Sequence, residues 1–187
     1  MLAGCATVDQ KIGLNYAPVD RPFGRHSGDI AVARQDPAQP QRNSKGEWII
    51  GSLNNVHDVH QADILSDRSI GEWITDALLL ELKHAGYTVT YTAALPQGAP
   101  HGIVINDINA FLNVKKGTVS SDSKHELKFN VDAYVNGTRV KTFTVSSRDK
   151  STILATSREA LEKIMLQSIR DAMVQIVPEI ISLIDKK

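Results

Sequence analysis

Cysteine is almost missing from this chain: among its 187 residues there is one, at position 5. A lone thiol closes no internal disulfide, and a zinc site of four thiolates is excluded. Aromatic residues are only 5% of the chain, and Lys+Arg and Asp+Glu number 21 each, so the formal charge is zero. No cluster of Lys and Arg stands out, which removes the electrostatic footprint that nucleic-acid binding needs. No segment approaches the roughly 18 to 20 continuous apolar residues of a membrane-spanning helix, so membrane attachment would be covalent or peripheral. Phosphate cradles of the Walker or Rossmann kind and the G-x-S-x-G elbow of a serine hydrolase are absent too.

What is present fits an ordinary globular domain, with 42% hydrophobic and 22% charged residues. The length suits one domain with a true core, and no internal repeat or second core is visible. Residues 6–28 are polar and broken by Pro18, Pro22 and Gly24, with "KIGLNYAP" as the one strand-like fragment. They read as a tether that adds at most one edge strand and spans on the order of 25 Å as a flexible coil. "GDIAVARQD" reads as a short strand, 37–47 as a polar loop, and "WIIGSL" at 48–53 as a second strand. "NNVHDVHQADILS" has no clear period and reads as a loop.

Ser66 or Asp67 is expected to cap a helix in which Ile70, Trp73, Ile74, Ala77, Leu78 and Leu82 recur at three- and four-residue spacing. Gly86 is placed to end it, and Tyr87–Thr92 to follow as a strand. In "IVINDINAFLNV" at 103–114, alternation assigns Val104, Ile108, Ala110, Leu112 and Val114 to one face. In "ELKFNVDAYV", Leu127, Phe129, Val131, Ala133 and Val135 alternate with Glu126, Lys128, Asn130, Asp132 and Tyr134, the mark of a sheet wet on one side. Asn136-Gly137 suits a two-residue hairpin turn between strands 126–135 and 139–147, and 115–124 reads as a mobile loop. Ser157 caps a final helix whose stripe runs from Leu161 to Ile184, with Pro178 expected to kink or split it. The predicted fold is α+β: a two-layer sandwich of a mainly antiparallel, twisted sheet with two helices on one face. The divisions are 1–4 as the remnant of a signal, 5–28 as anchor and tether, and 29–187 as one α+β domain.

Candidate chemistry is sparse. His57, Asp58, His60 and Asp63 offer metal-ligand types within seven residues, but a metal site needs three or four converging ligands and this segment has no partner cluster, so no metal and no cofactor are expected. Ser120, Ser121, Asp122 and His125 crowd one loop, where catalytic geometry is seldom held. His26, His84 and His101, like His125, read as solvated. Met165 and Met173 read as core, with a groove beside their helix left open. The expectation is a protein that is not an enzyme.

Leu2-Ala3-Gly4-Cys5, with Ala6 after it, resembles the lipobox of bacterial lipoproteins. That resemblance implies cleavage before Cys5, a diacylglyceryl group on its sulfur and acylation of the new amino terminus. Two or three acyl chains anchor durably, at about 0.8 kcal/mol per buried methylene. Only the last residues of such a signal precede Cys5, as in a trimmed start, so lipidation is expected of the full precursor and not of a chain that keeps Met1. Ala6 is not Asp, which in lipoprotein sorting implies the outer membrane.

"IGEWITDALLLELKHAGYTVT", the strand "IVINDINAFLNV", the Asn-Gly hairpin and the terminal helix together resemble the YajG-like family of uncharacterised bacterial outer-membrane lipoproteins. The likeness spans about residues 30–181 and brings no catalytic residues with it. It implies a lipid-anchored, periplasm-facing module that binds or scaffolds, partnered by the membrane through Cys5 and by an envelope protein, with self-association left open. The alternative is an auxiliary lipoprotein of an envelope transport system that presents a lipid or small solute. An apolar pocket beside Met165 and Met173 would favour the second, and a solid core with an open sheet edge the first.

Overall fold

The structure, a computed structural model, describes residues 8–20, 26–36, 41–154 and 156–185. Cys5 lies outside them. Eight strands and two helices follow in the order β1 (Gln10–Lys11), β2 (Asp29–Arg34), β3 (Trp48–Asn54), β4 (His60–Ser66), α1 (Ile70–His84), β5 (Thr88–Tyr91), β6 (His101–Lys116), β7 (Ser121–Val135), β8 (Thr138–Ile153) and α2 (Arg158–Ile184).

All eight strands join one sheet around β6. One edge of β6 pairs along its length with β7. Its other edge is shared end to end: Gly102–Ile105 pair with β2, and Leu112–Lys115 pair with β3. Between these halves sits a β-bulge, where Asn106 faces Asn130 but Asn109 faces Lys128, and Asp107 has φ 50°. The extra residue reverses the inward parity of the strand. Ile103 and Ile105 are buried before it, and Leu112 and Val114 after it. The strict alternation expected for 103–114 is corrected accordingly: Val104 is not on the face of Leu112.

The sheet is mixed, which corrects the expected mainly antiparallel one. β1/β4, β2/β5, β2/β6 and β3/β6 are parallel, whereas β3/β4, β6/β7 and β7/β8 are antiparallel. Alternating burial marks a strand with one wet face but carries no sign of its direction. The expected loop at 54–66 is also corrected, since β4 occupies His60–Ser66 and buries Ala62 and Ile64. Asn55 shapes the turn before it, its side-chain oxygen accepting from the backbone N–H of His57 and Val59. The loop at 115–124 shrinks to Gly117–Ser120, closed by Gly117 N–H to Ser120 C=O at 2.8 Å.

Ser69, not Ser66 or Asp67, caps α1. Its hydroxyl accepts from the Glu72 N–H while the Glu72 carboxylate accepts from the Ser69 N–H, a complete capping box. Ile74, Ala77, Leu78 and Leu82 are buried along one side, and Gly86 leaves the helix at φ 106° against His26. Ser157 caps α2 as expected. Pro178 does not split that helix, because Ile176, Val177, Ile180 and Ile181 keep it packed on both sides of the proline. Both helices touch the sheet and each other, enclosing one core.

The segment expected as a free tether is docked along 8–20. Lys11 pairs with Glu47 and Asp67, Ile12 is buried and its N–H donates to Leu65 C=O at 2.9 Å, and Gly13 N–H donates to Glu162. Tyr16 O–H and Val19 N–H both donate to the buried carboxylate of Glu81 on α1.

Candidate functional site

The metal candidates do not converge. His60 Nε2 lies 2.8 Å from Asp63 Oδ1, while Asp58 turns away to Lys115 at 2.9 Å. Among the described residues no three His, Cys, Asp or Glu side chains come together as a metal site would need. The serine-rich stretch is pulled apart by the pleat of β7. Ser121 and His125 point inward, Asp122 outward; Ser121 meets Thr156 at 2.9 Å and Asp122 accepts from Thr152.

His125, expected in solvent, is 1% exposed, with Nδ1 2.6 Å from the Ser168 hydroxyl of α2 and Nε2 without a partner. Burial pushes its pKa down to about 4, against the opposing pull of Asp149 and Glu126. His26 stacks on Tyr87 with centroids 5.6 Å apart and meets Asp185 at 2.7 Å, so it clips the end of α2 to the sheet. Burial and the hydrogen bond to Asp185 hold the Tyr87 phenol well above its ordinary range. His84 is exposed and His101 half-buried.

Met165 and Met173 are completely enclosed in the core. The open features lie elsewhere. A small cleft of about 200 Å³ occupies the gap between the end of β2 and the start of β3, floored by Ile108–Phe111 after the bulge. Two of its polar side chains are already engaged: Asp36 holds Arg34 at 2.6 and 2.9 Å, and Ser69 caps α1. A larger groove of about 480 Å³ lies between β8 and α2, lined by Ile153, Leu154 and Ile164, with Asp149, Lys163 and Gln167 among the polar residues beside them.

β8 itself is the longest unpartnered edge among the described residues. It spans 16 residues and pairs with β7 alone. Val145 and Ser147 are buried toward α2, while Thr142, Thr144, Ser146, Arg148 and Lys150 face water. The opposite rungs knit the outer face: Asp132 accepts from Thr142 and from Asn106 at 2.8 Å, and Asn130 receives Thr144 at 2.9 Å. Arg139, Lys141, Arg148 and Lys150 give the strand a cationic character, and Lys141 meets Glu179 at 3.4 Å. An edge of this kind offers a row of backbone donors and acceptors to an added strand, while its charges discourage pairing with an identical one.

Against known proteins, the chain matches no protein-family model and no curated sequence. Solved structures do resemble it. A Xanthomonas campestris protein of family DUF330 superposes with a TM-score of 0.54 at 12% identity, over 94% of this chain and 96% of that one. That likeness shows the fold. A minor lipoprotein from Acinetobacter baumannii (TM-score 0.49, 13% identity, 83% of this chain and 91% of that one) and rare lipoprotein B from Shewanella oneidensis (0.38, 12%, 71% and 97%) are more distant.

The β8 edge, the groove beside it and the His125–Ser168 contact were not visible as such in the sequence. The signal for the edge was the run from Thr138 to Ile153, whose alternation continues past 147 through Asp149, Ser151 and Ile153 in polar dress.

Proposed function

We propose that this chain is a lipid-anchored, non-catalytic module of the bacterial cell envelope, of the YajG-like kind, held by Cys5 at the periplasmic face of the outer membrane. It binds or scaffolds an envelope protein. One observation carries the binding role: a 16-residue strand open along one edge beside a solid core. The partner would add an extended segment to β8, with main-chain hydrogen bonds giving affinity and acidic side chains answering Arg139 and Arg148. The lipobox-like tetrad supports the anchor, and Ala6 supports the choice of membrane.

Photo-crosslinkers at Arg139 and Arg148 in cells test this reading. A reproducible envelope protein captured from both positions, and not from Leu80 on the exposed side of α1, is the expected result. Equal capture from all three positions, or none from β8, would reject it. The second reading, presentation of a lipid or small solute, has in its favour the groove lined by Ile153, Leu154 and Ile164. It predicts that a fluorescent fatty-acid analogue binds the purified domain and is lost on Ile164→Asp.

A further inference from the structure

One end of the sheet gathers two turns and the end of β8. Asn54 pairs with Lys115 and with His60, so the Asn55–Val59 turn lies level with the end of β6. Lys116 faces Ser121 and Ser121 faces Ile153, which brings the Gly117–Ser120 turn beside Leu154. This end is unusually apolar for a surface. Val119 is 85% exposed and Leu154 86%, and Val56 and Val59 are also open to solvent. The Asn136-Gly137 turn stands at the far end of the same strands.

The path of the chain points to the same end. β1 runs parallel to β4, with Gln10 beside Ile64, and β4 starts at this end and runs away from it. Followed backward from Gln10, the chain therefore approaches this end, with Asp9 accepting from the N–H of Asp63 at 2.9 Å. Because 8–20 is docked, the leash between Cys5 and the folded domain is the few residues up to Val8. Three residues reach at most about 10 Å. A lipid on Cys5 cannot sit far from this end.

We infer that the end of the sheet bearing Val56, Val59, Val119 and Leu154 rests on the bilayer surface, its apolar side chains entering the headgroup boundary beside the lipid on Cys5. This rests on the reading of Cys5 as the anchor. The last four rungs of β6, β7 and β8 carry Lys115, Lys116, Lys124 and Lys150 against Asp122; Asp58 in the adjoining turn holds Lys115 and Glu126 holds Lys124, each at 2.9 Å, which leaves Lys116 and Lys150 without an ion pair among the described residues. That excess of positive charge suits anionic headgroups, and scattered apolar side chains with cations behind them are the pattern of an interfacial contact. The β8 edge then runs away from the membrane, open to a partner in the periplasm.

The test uses lipidated protein from the full precursor, in which the Cys5 sulfur is blocked, with one environment-sensitive fluorophore on Val119→Cys, Leu154→Cys or, at the far end, Val140→Cys. Each is mixed with phosphatidylethanolamine/phosphatidylglycerol vesicles containing a lipid-borne quencher. Blue-shifted, quenched emission at 119 and 154, with 140 unchanged, is expected. Protein that floats with the vesicles while 119 and 154 stay as wet as 140 overturns the docking and leaves the anchor standing. Protein that does not float overturns the anchor, and this inference with it. A shift at 119 already present in a Cys5→Ala background without vesicles assigns the tip to a second copy and overturns the bilayer contact.

Discussion

His125 faces α2 from β7, where a charged imidazolium would have one hydrogen-bonding partner, the Ser168 hydroxyl, and almost no exposure to solvent. Its folded pKa of about 4 lies below the unfolded value of 6.5. The folded state thus binds fewer protons, and the stability from keeping the ring neutral is complete above pH 6.5 and lost as pH falls toward 4. At 1.36 kcal/mol per pH unit, that loss is about 3 kcal/mol. Denaturant titrations at pH 7 and pH 4 should show it in the native chain and show a smaller drop for His125→Leu; equal drops would count against it. Glu81 makes the opposite kind of site, a buried acceptor for two donors from the N-terminal segment. Tyr16→Phe is expected to cost about 1–3 kcal/mol in a urea melt, and a change near zero would mean that the strap contributes nothing. Neither role was legible in the sequence. His125 sits in a polar stretch that looks like a loop, and only its pairing partners Leu112 and Asp149 reveal that the strand continues through it.

At the scale of elements, the parts decided by local chemistry were legible. The apolar stripe of α1, the glycine at its end, the Ser157 cap and the Asn136-Gly137 turn, with φ 49° and 76°, each depend on near neighbours. Serine at 69 with glutamate at 72 marked the start of α1 as well, although Ser66 and Asp67 offered the same side-chain chemistry. The parts decided by distant partners were hidden. The bulge at Asp107, the sharing of one edge of β6 by β2 and β3, and their parallel directions follow from which strands meet, and alternation within a strand is silent on that. Gly51 records such a meeting. A Cβ there would lie 2.3 Å from the Leu112 carbonyl of β6 and 3.0 Å from Ile64 of β4. Gly51→Ala should cost about 3 kcal/mol, at the upper end of overpacking effects, or separate β3 from β6. A thermal melt matching that of the native chain would contradict that placement.

At the scale of the molecule, the docked N-terminal segment changes what the proposed anchor would do. A long coil would let the domain wander, whereas a strap fixed by Lys11, Ile12, Tyr16 and Val19 would shorten the leash from a lipid on Cys5 and give the domain one preferred side toward the membrane. The described residues contain no helix long and apolar enough to cross a bilayer, and the proposed attachment is the lipid on Cys5. Everything proposed for this chain, from the orientation of the sheet to the direction in which β8 faces a partner, depends on that one sulfur. The most direct measurement is the intact mass and membrane fractionation of the full precursor expressed in a Gram-negative host, beside its Cys5→Ala variant. The account predicts a diacylglyceryl mass on Cys5, flotation with the outer membrane, and release of the variant from it. An unmodified Cys5, or a variant that still fractionates with membranes, would contradict it.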